Sequence, residues 1–138
     1  MRVWSRLCAA ARPLAIALGM GLGVEIGLFH LEAAQSWADS AMAQHCMRVM
    51  IELQGHEGVA VADAMLARIA AAGSPAPVLL HGLDESCWPL LEHAGACGVQ
   101  TRIGMEDTLT LPDGSVTPDN AALVSAAVRL LGAGEATG

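Results

Sequence analysis

Arg102-Ile103-Gly104-Met105-Glu106-Asp107-Thr108-Leu109-Thr110-Leu111-Pro112-Asp113-Gly114 is the stretch on which the fold turns. A short apolar strand from Thr101 to Gly104 delivers Arg102, Glu106 and Asp107 within itself or at its carboxyl end, and Pro112-Asp113-Gly114 closes a turn. In parallel α/β folds, chemistry gathers at strand ends, where a rigid backbone presents side chains to an open crevice. Two adjacent carboxylates beside a buried strand raise one another's pKa unless a cation lies near, and Arg102 or a metal ion would supply it. The same pair also reads as two solvated loop carboxylates, with Asp107 starting a turn.

Upstream, Val78-Leu79-Leu80-His81-Gly82 reads as a strand ending in a histidine, preceded by the rigid turn Ser74-Pro75-Ala76-Pro77. Asp84, Glu85 or Ser86 caps a following helix from Cys87 to Ala94, where Pro89 is tolerable in the first turn and Gly98 ends the segment. Met47 to Leu53 is another strand, followed by a loop at 54–58 and a helix from Val59 to Ala72. Val61, Met65, Leu66 and Ile69 recur there at helical spacing, and Gly73 is placed to stop the helix. Earlier still, Gly23 to Leu28 forms a strand containing Glu25, and Leu31 to Ala41 a helix with Trp37 on its apolar face. A charged residue in a barrel strand points into the lumen or towards its mouth, so Glu25 is a site candidate. It also reads as a strand-end glutamate in water. Downstream, Thr117 suits a helix cap and Pro118 the first helical position. Leu123, Val124, Ala127 and Leu131 give the last helix a buried stripe that Gly132 ends.

Four strands thus recur roughly 23 to 31 residues apart, each followed by a helix, which is the spacing of consecutive βα units. The expected fold is α/β: a partial TIM (β/α)8 barrel of about four carboxyl-terminal βα units over residues 23–138. Residues 1–22 read as an amino-terminal helix, Trp4 to about Leu18, left from an upstream unit. A complete barrel takes about 250 residues, against 138 here. Half a barrel leaves open sheet edges, so a homo-oligomer or association with an amino-terminal half is expected.

Composition narrows the function. The chain is 54% hydrophobic and 15% charged, with 15 glycines, which suits buried parallel strands covered by alanine-rich helices. A net charge of -7, with all seven basic residues arginines scattered along the chain, excludes a nucleic-acid surface. Cys8, Cys46, Cys87 and Cys97 form no Cys-x-x-Cys pair and read as small buried hydrophobes of a reducing, cytoplasmic protein. Arg2, Arg6 and Arg12 ahead of the apolar run from Pro13 to Met20 look superficially like a secretory signal. No small-x-small site is followed by a clear mature start, and the run is too short and glycine-rich to cross a membrane, so no membrane partner is expected.

From Gly23 to about Ala127 the chain resembles the carboxyl-terminal half of the β-keto acid cleavage enzymes, the family named for 3-keto-5-aminohexanoate cleavage. The likeness rests on Gly-Val-Glu-Ile-Gly-Leu (23–28), Val-Leu-Leu-His-Gly-Leu-Asp-Glu-Ser-Cys-Trp-Pro-Leu-Leu (78–91), Thr-Arg-Ile-Gly-Met-Glu-Asp-Thr-Leu-Thr-Leu-Pro-Asp-Gly (101–114) and Asp119-Asn120-Ala121-Ala122-Leu123-Val124. It implies a (β/α)8 barrel that uses a divalent metal, usually zinc, to exchange acyl groups between a β-keto acid and acetyl-CoA, giving acetoacetate and a new CoA thioester, as in amino-acid catabolism.

By motif, Glu106 would be a metal ligand, Arg102 would hold the substrate carboxylate and Asp107 would assist proton transfer. Glu25 would contact substrate or help move a proton, with His81 a further substrate contact. Such roles suit the residues: arginine offers a fork that matches a carboxylate, and a metal on the keto oxygen would stabilise an enolate. The family's other metal ligands form a His-x-His pair, and the histidines here stand at 30, 45, 56, 81 and 93, so the pair is missing. One carboxylate does not hold catalytic zinc, which takes three protein ligands and water. The expectation is an enzyme half that acts only with its upstream half. The alternatives are a non-catalytic barrel fragment or interaction module, or a protein directed to membranes by residues 1–22.

Overall fold

Arg48–Leu53 alternates half-buried and buried residues, with Val49, Ile51 and Leu53 turned into the core and Arg48, Met50 and Glu52 on the opposite face. Such alternation marks a strand covered more heavily on one side than the other. The computed structural model describes residues 19–55 and 58–135. In it, this strand (β2) lies between β1 (Glu25–Leu28) and β3 (Val78–Gly82) in a parallel sheet of order β1-β2-β3. Glu25 stands opposite Arg48 and Leu28 opposite Ile51, while Glu52 stands opposite His81. The expected helix at Trp4 to Leu18 lies outside the described residues.

Helices cover the buried face. His30 Nδ1 accepts from the Ala33 amide at 3.1 Å and starts α1 (Leu31–Ala38). Ser40 caps a short 3-10 turn, Ala41–Gln44, which ends α1 earlier than the sequence suggests. Helix α2 (Gly58–Ala71) is followed by Gly73 at φ +62°, and α3 (Cys87–Cys97) is capped by Gly98 at φ +67°, both in the left-handed region where glycine escapes the Cβ penalty. Trp37, Met65, Ile69, Leu90 and Ala94 pack on Val49, Ile51 and Leu80, each large apolar side chain contributing about 1.5–3 kcal/mol by leaving water. Val61 and Leu66 are only half-buried at the margin of this core.

Five further local expectations are corrected. Thr101 to Gly104 is not a strand: the fourth position in the sheet shrinks to one parallel bridge, Leu79 to Gln100, made by Leu80 N to Gln100 O (2.8 Å) and Gln100 N to Val78 O (3.0 Å). Gly104 O then accepts from the amides of Asp107 (2.9 Å) and Thr108 (3.2 Å), so the backbone that would have continued the ladder closes a turn instead. The cap of α4 (Asn120–Glu135) is Asp119, whose Oδ1 accepts from the Ala122 amide at 2.8 Å, while Thr117 Oγ1 donates to Asp119 O.

Val124 is 43% exposed where Ala126 is buried beside Leu123 and Ala127, and α4 runs through Gly132 despite the roughly 1 kcal/mol helix cost of glycine. Cys97 is exposed, unlike Cys46 and Cys87. The Pro112-Asp113-Gly114 turn forms as expected, with Gly114 at φ +83° and Asp113 Oδ1 accepting from the amide and hydroxyl of Ser115. Among the described residues no helix is long and apolar enough to cross a membrane.

Candidate functional site

Strand parity puts Glu25, Gly27, Arg48, Met50, Glu52, Leu79 and His81 on the face opposite the helical core. Charge collects at both ends of that face. At the amino end Glu25 is ion-paired with Arg48, both side chains about one-third exposed, and such a pair contributes at most about 1 kcal/mol. Four residues further along β2, about 13 Å at strand rise, Glu52 meets His81. The structure therefore places Glu25 on the same face as the other sequence candidates but does not bring it to them.

At the carboxyl end the loops converge. Gly82 follows His81 because a Cβ there would lie 2.5 Å from Ser86 O and 2.6 Å from Ser86 Oγ. The Ser86 hydroxyl receives the Leu83 amide (3.1 Å) and reaches Leu53 O (2.9 Å), tying the ends of β2 and β3 together. Asp84 adopts φ +50°, a left-handed conformation uncommon outside glycine and tolerated by aspartate, and its amide donates to Asp107 O at 2.7 Å. Trp88 Nε1 donates to Thr110 O at 2.9 Å and pins the outer part of the same loop to α3. The turn bearing Asp107 is thus fastened to β3 and α3 by backbone and side chain alike.

Within it, Asp107 is fully buried and its Oδ1 accepts from Arg102 Nη2 at 2.9 Å, while Oδ2 has no hydrogen bond. His81, 1% exposed, sits between two carboxylates: Nδ1 is 3.3 Å from Asp107 Oδ1 and Nε2 3.4 Å from Glu52 Oε2. Neither ring nitrogen makes an aligned hydrogen bond, and Thr101 Oγ1 is also buried without one. Burial holds the imidazole's pKa below its usual range, and Arg102 adds to this, opposed by Asp107 and Glu52. A neutral imidazole has one N–H for two carboxylate neighbours, so one nitrogen faces an acceptor unpaired. Cys87 is an inert thiol, pushed up to about 12 by burial and then by Asp107 and Asp84.

Arg102 is 40% exposed and Glu106 67%, their charges 4.0 Å apart, and the Glu106 carboxylate folds over Gly104, where a Cβ would collide with it. Arg102, Asp107 and His81 are therefore together, Glu106 is at their rim, and Glu25 is apart. Glu52 is the residue that sequence reasoning missed. Its signal was a lone carboxylate one position before the end of a buried strand, the same place in β2 that His81 holds in β3. Beside it a cleft of about 520 Å³ opens at the carboxyl ends of β1 and β2, lined by Phe29, His30, Glu52, Leu53, Gln54 and Val61. A wider cleft of about 910 Å³ along Gln100, Leu79 and α4 shares only Thr101 with the cluster.

Chemically, a buried carboxylate with a free oxygen can exchange a proton, an exposed guanidinium can hold an anion, and unmet polar atoms of His81, Thr101 and Asp107 gather beside them. Zinc does not fit this cluster as it stands. It needs three protein donors, whereas Glu106 is exposed, Asp107 is committed to Arg102 and His81 lies between two carboxylates. Among the described residues the grouping with three metal donors is elsewhere, at Asp63, His93 and Cys97.

Compared with known proteins, residues 25–137 match the model of a family described as beta-keto acid cleavage enzyme. A search of the curated proteins finds no match.

Proposed function

Since the chain belongs to the beta-keto acid cleavage enzyme family, we propose that residues 23–138 are the carboxyl-terminal half of a (β/α)8 barrel. Joined to polypeptide that carries the family's histidine ligands, this half exchanges acyl groups between a β-keto acid and acetyl-CoA in the cytoplasm. The observation that carries this reading is the buried Asp107, with one oxygen held by Arg102 and the other unpaired, at the carboxyl end of a parallel sheet.

In this reading Arg102, through the nitrogens that Asp107 does not occupy, holds the substrate carboxylate at the rim. Asp107 takes the proton from the carbon between carboxylate and ketone and returns it to the acetoacetate formed. His81 positions Asp107, and Glu52 faces the cleft in which the keto acid lies. Glu25 braces the amino end of the sheet through Arg48. Glu106 would supply one metal ligand once the histidine donors are present, and the bound ion would stabilise the enolate. The β1 edge, flanked in sequence by exposed Leu22, Phe29 and Leu31, takes the missing strands, either from an amino-terminal half or from a second copy.

The test is complementation. The purified chain is mixed with zinc and the amino-terminal half of a family member, and acetoacetate formation from β-keto acids and acetyl-CoA is followed. Activity that needs both halves and disappears in Asp107→Asn and Arg102→Ala is expected; association of the halves with no acetoacetate from any β-keto acid sinks the proposal. It would favour a second reading, an interaction module that keeps the fold without the chemistry, which the exposed position of Glu106 supports.

A further inference from the structure

Away from the sheet's carboxyl end, helices α2 and α3 bring together three side chains that the proposed reaction does not use. Asp63 lies on α2; His93 and Cys97 are four residues apart on α3 and so share one face of that helix. Asp63 Oδ1 is 2.8 Å from His93 Nε2, Cys97 Sγ is 3.5 Å from the same nitrogen, and all three donor atoms lie within 4.8 Å of one another. His93 is half-buried and the other two are exposed, so the group is open to ions from solution.

We propose that Asp63, His93 and Cys97 form a zinc site on the outer surface of the helical layer. Tetrahedral zinc with bonds of about 2.0–2.3 Å separates its ligand atoms by about 3.3–3.8 Å. The sulfur–nitrogen edge of 3.5 Å already has that length. The oxygen–nitrogen edge of 2.8 Å opens by about half an ångström as a hydrogen bond gives way to coordination. The third edge, under 4.8 Å, closes by a rotamer adjustment of two exposed side chains. Thiolate, imidazole and carboxylate together suit a borderline-soft ion such as zinc and disfavour magnesium or calcium, which take oxygen ligands at higher coordination number. Binding releases the thiol proton of Cys97 to solvent and leaves one coordination position for water. Because its ligands come from two helices, the ion would clamp α2 to α3.

Cobalt(II) titration of the full 138-residue chain tests the site, since a cobalt–thiolate bond produces a charge-transfer absorption that a carboxylate ligand such as Glu106 cannot. One equivalent of cobalt is expected to give this band, zinc to displace it, and Cys97→Ser to abolish it while Cys87→Ser and Cys46→Ser retain it. Asp63→Asn is expected to weaken cobalt affinity at least about tenfold. Circular dichroism of each variant identifies any that fails to fold. In folded protein, no thiolate band, or a band that survives Cys97→Ser, overturns the proposal. The readout involves no turnover, so it stands or falls separately from the reaction proposed above.

Discussion

His81 and Asp107 are held side by side, Nδ1 3.3 Å from Oδ1, with no aligned hydrogen bond between them. The imidazole is walled in, and its depressed pKa records that taking a proton there is unfavourable despite two carboxylate neighbours. The unfolded chain, with an ordinary histidine pKa of about 6.5, protonates first as pH falls. Stability is therefore full above that pH and is lost as pH drops through the folded value. Urea unfolding between about pH 8 and about pH 5 should show a steeper loss in the wild type than in His81→Gln. Equal slopes would remove His81 from the acid response.

Asp107→Asn separates folding from chemistry. Asparagine keeps an Oδ1 acceptor for Arg102, whose guanidinium is 40% exposed, so stability should fall by about 1–2 kcal/mol although Asp107 itself is buried. In the complemented enzyme, acetoacetate formation should disappear. A large fall in melting temperature would instead assign Asp107 a structural role.

Gly82→Ala should destabilise by about 3 kcal/mol, because the added Cβ would meet a backbone carbonyl rather than a movable side-chain tip. Ser86→Ala should cost about 1 kcal/mol by removing the hydroxyl's bonds to Leu83 N, Leu53 O and Leu83 O, while the Leu83 amide still donates to Leu53 O at 3.0 Å. Denaturant titration measures both, and the order Gly82→Ala worse than Ser86→Ala is the specific expectation.

In a Cys8→Ser background, a disulfide reagent should label Cys97 at least about tenfold faster than Cys46 or Cys87. Burial raises both of the latter thiols, that of Cys87 to about 12. Mass spectrometry of the labelled peptides identifies the site. Rapid labelling of Cys87 would mean that α3 opens on the timescale of the reaction.

Phe29→Asp and Leu22→Asp place charge on exposed apolar positions flanking β1. Sedimentation should show less self-association in both with an unchanged melting temperature, and undiminished association would move the interface to another face.

Much of this was legible in the sequence because it is local. Gly73 and Gly98 announced helix stops, Pro112-Asp113-Gly114 its turn, and short apolar runs the three strands of the sheet. The errors arose where two local signals competed. Thr101 to Gly104 has strand composition, but the turn drawn shut by Gly104 O won once only Gln100 had a partner in β3. Thr117 and Asp119 are both good caps, and the chain used the one adjacent to the helix. The position of Glu25 depended on register: its residue type and strand were evident, but which end of the face it occupied required the pairing with Arg48. Asp63 and His93 meet only through helix packing, and the single hint was the four-residue spacing of His93 and Cys97.

The amide of Asp84 donates to the carbonyl of Asp107, and Asp84 also opens the turn that leads into α3. That one proton therefore serves as a built-in reporter: a ligand that shifts the carboxylate-bearing turn changes how fast the Asp84 amide exchanges with deuterium. Occupancy of the site can then be followed from the backbone alone, even in a half-enzyme that turns nothing over.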